Sequence, residues 1–287
     1  MDSGVFKKTV IKTVIYTIGI GTAAAIGALV GMKIALYKEP TAIEPENHNI
    51  PVLGALFSYM DDKELKAYTE QFKASMNVGG GQRFTDLQIR RFYQLKLSPD
   101  EVLHFHDTEK PNALLIYPSA DGNGAFYDVS SQKFLANVKE KYDVGVLVAT
   151  VEQEVYAAID EIPTIELLVL SGHGTKDSLR LGERNPAEQK HANYRNEEFM
   201  IDLYDWKLLK HLDKLSPNAT IFLNSCSTAT GGKEADNLAN FVSFAASRRK
   251  VIASKEDFKT QEINVVSRYP LELKIEVDGK DATYYSK

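Results

Sequence analysis

The chain has 287 residues, of which 44% are hydrophobic and 25% charged, a balance that belongs to globular proteins and excludes wholesale disorder. A formal net charge of −5 argues against a globally basic nucleic-acid binder, so no nucleic-acid partner is expected. The single cysteine, Cys226, excludes an internal disulfide framework and a cysteine-rich zinc site; the thiol is left as a buried small hydrophobe, an inter-chain bridge or a nucleophile.

Between Lys12 and Lys33, twenty residues carry no charge. As a helix this stretch would be about 30 Å long, the thickness of a bilayer's hydrocarbon core. Residues 1–38 are therefore expected to be a membrane anchor or a signal segment, with a core helix apolar on all sides as a third reading. As a retained, single-pass N-terminal hydrophobic helix, the segment follows Lys7, Lys8 and Lys12 and precedes Lys33 and Lys38. That excess leans the N-terminus to the cytoplasm and the rest of the chain to the extracytoplasmic side. Gly19, Ala23, Gly27 and Gly31 recur every four residues, which on a helix makes one stripe of small side chains. Such a stripe lets membrane helices pair and makes a homodimer one expectation, although a Gly- and Ala-rich span also places small residues on every face.

Residues 39–111 read as a linker and a small helical region. Pro, Glu and Asn dominate 39–52, and spaced apolar residues predict helices over 61–76 and 84–97, separated by Gly79-Gly80-Gly81. Ser98-Pro99-Asp100-Glu101 is a helix start, with a capping hydroxyl, a proline at the first helical position and acids at the positive dipole end. His104 and His106 have no companion ligands nearby and read as surface histidines. No metal or other cofactor is expected.

From Asn112 onward, short apolar runs alternate with helical patterns. Strands are predicted over 113–117, 144–151, 165–170, 220–223 and 251–253, and helices over 127–142, around 155–162, 202–215 and 233–247. Continuous apolar strands separated by amphipathic helices predict an α/β fold with a mostly parallel sheet covered on both faces. Leu271, Leu273, Ile275 and Val277 alternate with polar residues before the turn Asp278-Gly279, which predicts an antiparallel edge ribbon. Residues 112–287 are read as one domain.

In open parallel sheets, ligands bind beyond the carboxyl ends of the strands. Ser171-Gly172-His173-Gly174 follows the third strand and Asn224-Ser225-Cys226-Ser227-Thr228 the fourth. If those strands are neighbours, an imidazole and a thiol emerge together at one edge. Thiol catalysis needs that pairing, because the thiolate is the attacking species and the imidazole takes or holds its proton. The backbone N–H groups of Gly174 and Cys226 are the natural oxyanion hole.

The runs Leu167-Leu-Val-Leu-Ser-Gly-His-Gly174 and Ile221-Phe-Leu-Asn-Ser-Cys-Ser-Thr228 resemble the two signatures of caspase-like cysteine peptidases, the group of caspases, metacaspases, gingipains and bacterial CHAT-type domains. The histidine lies about 50 residues upstream of the cysteine, as in caspases. The resemblance covers about 112–254, is nearest to CHAT-type domains, and includes Asp177-Ser-Leu-Arg-Leu-Gly182, where relatives often carry a hairpin. It implies a three-layer caspase-like fold and hydrolysis of a protein or peptide substrate, with Cys226 as nucleophile, His173 as partner and no strict need for a third residue. Relatives use the residue two before the cysteine to line the pocket for the side chain N-terminal to the cut. Here it is the neutral Asn224, and Asp121 in the loop after the first strand could add a charge to that pocket. As an ordinary Asp-Gly turn residue, Asp121 would have no such part.

The polar stretch 183–198, with Arg184, Lys190 and Arg195, reads as a lid, a processing site or a solvated insertion. Two rivals to the peptidase are a non-catalytic caspase-like binding or scaffolding module and a flavodoxin-like domain. The second needs a phosphate loop after the first strand, to which Asp121-Gly-Asn-Gly124 is a weak match.

Overall fold

The computed structural model describes residues 62–79, 84–103, 109–183, 196–247 and 249–286. The apolar span 13–32, its small-residue stripe, the 39–52 linker, His104, His106 and 184–195 of the polar loop lie outside the described residues. Among the described residues, no helix is long and apolar enough to cross a membrane.

Six strands form the central sheet: β1 (Asn112–Pro118), β2 (Asp143–Ala149), β3 (Ile165–Ser171), β7 (Thr220–Asn224), β8 (Lys250–Ser254) and β12 (Thr283–Tyr285). Their order is β12-β8-β7-β3-β1-β2, with β12 antiparallel to β8 and every other pair parallel. The interior strands each carry a continuous apolar run because both faces are covered; all five residues of β7, the polar Thr220 and Asn224 included, are buried.

Side chains alternate between the two faces, and so does the core. Leu114, Ile116, Leu168, Leu170, Ile221 and Leu223 point to one side. There they pack on the helices α5 (Glu152–Glu161), α6 (Leu208–Leu212) and α7 (Leu238–Ala245). Ala113, Leu115, Leu167, Val169, Phe222 and Ile252 point to the other, against α4 (Val129–Lys139) and against α1 (Asp62–Gly79) and α2 (Asp86–Gln94). Each fully buried Leu, Ile or Phe stabilises this arrangement by about 1.5–3 kcal/mol.

The helical region before the sheet is part of its body. Phe72, Ile89, Phe92, Leu95 and Leu97 share one core with the strand residues Ala113 and Leu115. Gln88 Nε2 donates to the Val148 carbonyl at 2.9 Å, and Thr85 caps α2 in a reciprocal box with Gln88. The expected start at Ser98 is present: the Glu101 N–H donates to Ser98 Oγ, and the Ser98 N–H to Glu101 Oε2. It opens the short helix α3 (Pro99–Leu103).

Three sequence expectations are corrected. The helix predicted over 202–215 is strand β6 (Met200–Asp202), a turn and the short α6. Asp205 Oδ2 accepts from the Asp202 N–H at 2.6 Å and Asp202 Oδ1 from the Tyr204 N–H at 2.7 Å, side-chain bonds that compete with helix formation. Trp206 is consequently 60% exposed. The helix predicted over 233–247 begins only at Leu238, where Asn237 caps it by accepting from the Asn240 N–H. The tail does not edge the central sheet as one ribbon. Strand β10 (Leu271–Val277) pairs with β9 (Ile263–Arg268) and β11 (Lys280–Asp281) in a separate three-stranded sheet, and only β12 returns to the central one.

Candidate active site

Strands β3 and β7 are adjacent, parallel and in register, with Ser171 opposite Asn224. His173 and Cys226 therefore each stand two residues beyond a matched pair of strand ends. Two hydrogen bonds tie the loops that carry them: Asn224 Nδ2 donates to Ser171 Oγ at 3.1 Å, and the Gly172 N–H to the Asn224 carbonyl at 3.3 Å.

Beyond β3 the chain enters a small sheet of β4 (His173–Gly174), β5 (Ser178–Arg180) and β6, with His173 opposite Arg180. This is the hairpin expected after the histidine. Gly174 passes so close to the cysteine loop that a Cβ there would lie 2.0 Å from Ser225 Oγ and 2.5 Å from the Cys226 carbonyl oxygen. Only glycine permits that approach. It sets the backbone of Gly174 against the Ser225 side chain and the Cys226 carbonyl, in the two stretches whose amides are expected to receive an oxyanion.

The imidazole of His173 is 40% exposed, with Nε2 3.3 Å from Asp121 Oδ1. The Asp121 side chain is completely buried, and its two oxygens accept from the Ala125 N–H at 3.1 Å and the Phe126 N–H at 2.9 Å. The Phe126 ring meets the imidazole edge-on, 5.2 Å between centroids. At this distance the carboxylate attracts an imidazolium at Nε2, and Nδ1 is the ring nitrogen turned away from it. Asp121 is thus not the pocket-lining charge expected from the sequence. It stands behind the histidine, because the turn after β1 aims its side chain inward at two backbone amides.

Cys226 Sγ does not bond to His173. It lies 3.4 Å from both the N–H and the carbonyl of Phe258. Burial pushes the thiol above its ordinary range, with Asp257 and Glu262 adding to the effect and the Phe258 N–H opposing it. The next residue, Ser227, holds a left-handed backbone (φ 56°), a strained conformation for a residue with a side chain. It is held there by its N–H to the Glu256 carbonyl and its hydroxyl to Asp257 Oδ1 at 2.6 Å.

A pocket of about 340 Å³ opens at this point. His173, Asn224, Ser225 and Cys226 form one wall, 123–126 and Asp128 a second, and 258–261 the third. Asn224 is 2% exposed; its Oδ1 has no hydrogen-bond partner, nor does Ser225 Oγ. A larger groove of about 810 Å³ runs along β9, with Arg268 and Tyr269 in its lining, but it contains none of the candidate residues.

The structure thus brings together His173, Gly174, Asn224 and Cys226, and gives Asp121 a different place. Sequence reasoning missed the 255–262 loop, which supplies a wall and both of the thiol's partners. The one signal available was its position after the carboxyl end of β8, the edge where loops of a parallel sheet converge. Arg91 was missed as well. Its guanidinium donates to the carbonyls of Ser119 and Asp121 and lies 4.3 Å from the centre of the Tyr127 ring, bracing the loop that carries Asp121. No family model matches the chain, and no curated protein matches it.

Proposed function

We propose that the protein is a caspase-like cysteine peptidase that hydrolyses peptide bonds through Cys226 and His173, tethered to a membrane by its 13–32 segment. The observation that carries this reading is the placement of thiol and imidazole two residues beyond the paired ends of β3 and β7, on one wall of a pocket. Metal ligands are not needed for this chemistry, and the residues that it does need are all present.

In the reaction, the thiol turns from Phe258 toward Nδ1 of His173 and gives up its proton. The sulfur attacks the peptide carbonyl carbon, and the oxygen takes the negative charge beside the amides of Gly174 and Cys226. Collapse breaks the C–N bond, Nδ1–H protonates the leaving amine, and a thioester remains. Water, deprotonated by Nδ1, attacks that thioester; a carboxylic acid leaves and the thiol is restored. Asp121 sets a negative charge beside Nε2, which steadies the imidazolium formed in these steps.

The test is hydrolysis of a peptide library by the purified protein. Cys226→Ala should abolish turnover, and His173→Ala should lower it by about 10²–10⁴-fold with the fold intact. Undiminished cleavage by either variant would sink the assignment.

A second reading, a caspase-like binding module without catalysis, is favoured by one observation. The thiol's protonated form is stabilised and its hydrogen bonds go to a backbone rather than to the imidazole. The two readings separate on whether Cys226 reacts faster with a peptide-linked electrophile than an ordinary buried thiol does.

A further inference from the structure

We propose that Tyr204, Trp206 and Phe244 form a docking surface that seats the folded chain on an anionic lipid bilayer; the choice of partner rests on the membrane tether of the reading above and not on Cys226. The inference starts from aromatic side chains left on the outside. Trp206, the chain's only tryptophan, is 60% exposed, Tyr204 82% and Phe244 61%. The Trp206 ring meets the Phe241 ring edge-on, 5.5 Å between centroids, and Phe241 and Phe244 are neighbours one turn apart on α7. Tyr204 stands two residues before Trp206 in the turn that follows β6. The fold holds these rings out. Asp202 and Asp205 close the turn on backbone amides, the Trp206 N–H donates to the Tyr204 carbonyl at 2.8 Å, and Asn237 caps α7. Large apolar side chains exposed side by side mark an interaction surface.

Chemistry and charge select a bilayer as the partner. Trp and Tyr join an apolar ring to a polar N–H or O–H, the combination that gathers at the boundary between hydrocarbon and water, and Phe244 adds a wholly apolar ring. Lys207 adjoins Trp206 and Lys210 follows one turn on; both are exposed, and neither has an ion pair among the described residues. The acids of the same segment are engaged. Asp202 and Asp205 accept from backbone N–H groups, and Asp213 accepts from Ser247 Oγ at 2.7 Å and lies 4.0 Å from Arg249. Aromatic rings flanked by free lysines complement anionic head groups above an acyl layer. Residues 33–61, fully extended, reach about 100 Å, so a chain anchored through 13–32 has the length to lay this face on the same bilayer. Strand β6 pairs with β5 in the small sheet that carries His173, so docking here orients the candidate site toward the membrane.

The test uses the single tryptophan as its reporter. The full-length chain is reconstituted in vesicles of equal parts phosphatidylcholine and phosphatidylglycerol, with and without bromine near the top of the acyl chains, and flotation reads attachment. Docking predicts Trp206 emission that is shifted to the blue, quenched by the brominated lipid and shielded from aqueous acrylamide. Phe244→Ser, and Lys207→Glu together with Lys210→Glu, change exposed side chains outside the candidate site. Each variant should weaken docking by at least about 10-fold, read as recovery of emission in brominated vesicles. A chain that floats with the vesicles while Trp206 stays open to acrylamide and untouched by bromine would overturn the docking proposal and leave the tether standing. Shielding from acrylamide without quenching by bromine would mean a protein contact and would overturn it as well, as would quenching that both variants leave unchanged. A chain that does not float would overturn tether and docking together.

Discussion

His173 Nε2 lies 3.3 Å from Asp121 Oδ1, and the Asp121 side chain is wholly enclosed by protein. The contact turns Nε2 to the carboxylate and leaves Nδ1 as the ring nitrogen for proton transfer in the proposed reaction. Asp121→Asn removes the charge that steadies the imidazolium and leaves one acceptor oxygen for two backbone N–H groups, so its fold is checked first by chemical denaturation. Peptide hydrolysis should fall by about 10²–10⁴-fold. An unchanged rate would leave Asp121 as a turn residue only.

Cys226 carries a thiol whose deprotonation is opposed by burial and by the carboxylates of Asp257 and Glu262. Alkylation of Cys226 should therefore show a midpoint above that of an ordinary thiol, with reactivity rising as pH rises through it. Asp257→Asn removes one carboxylate, so the midpoint should move down and labelling at neutral pH should speed up. A midpoint that stays put would mean that Asp257 has no electrostatic part in holding the thiol protonated.

Gly174→Ala places a methyl carbon 2.0 Å from Ser225 Oγ, and the backbone on either side is held by strand pairing. The loops of His173 and Cys226 must move apart. Overpacking of this kind costs about 1–3 kcal/mol, readable as a lower midpoint in chemical denaturation, and activity should fall with it. An unaltered midpoint would show that the approach is looser than described.

Asp205 lies beside Glu152, whose Oε2 accepts from Tyr156 Oη at 2.7 Å, and beside Asp202. Burial, followed by the Glu152 carboxyl, raises the Asp205 carboxyl from 3.8 to about 8. The folded state then binds a proton that the unfolded chain has released, so the stabilisation is fully present below about pH 4 and is lost as pH rises toward 8. Asp205→Asn should flatten the stability curve between those limits and make the protein more stable than the parent at pH 8. A parent curve already flat there would show that the carboxyl is ionised throughout.

The central sheet was legible because β1, β3 and β7 each contain a continuous apolar run, and only strands covered on both faces tolerate that. The candidate pair was legible for the same reason: strand ends locate the ligand-binding edge, and His173 and Cys226 follow two of them. The role of Asp121 was hidden, since sequence does not say whether a turn side chain faces the pocket or the interior. The 255–262 loop is polar and without periodicity, so nothing in it announced a wall of the site. In 202–215, Leu208, Leu212 and Leu215 kept helical spacing while Asp202 and Asp205 closed a turn that the hydrophobic pattern could not register. The aromatic residues Phe72, Phe84 and Phe92 form one cluster of mutually touching rings, a buried payload that a surface helix would not need.

In the peptidase reading thiol and imidazole act as one unit, and the most direct measurement is the rate at which a peptidyl electrophile modifies Cys226 in the parent protein and in His173→Ala. If the imidazole activates the thiol, the parent should react about 10²–10⁴-fold faster than the variant, and Cys226 should be the residue modified. Equal rates in the two proteins would contradict the peptidase reading and leave a binding module in its place.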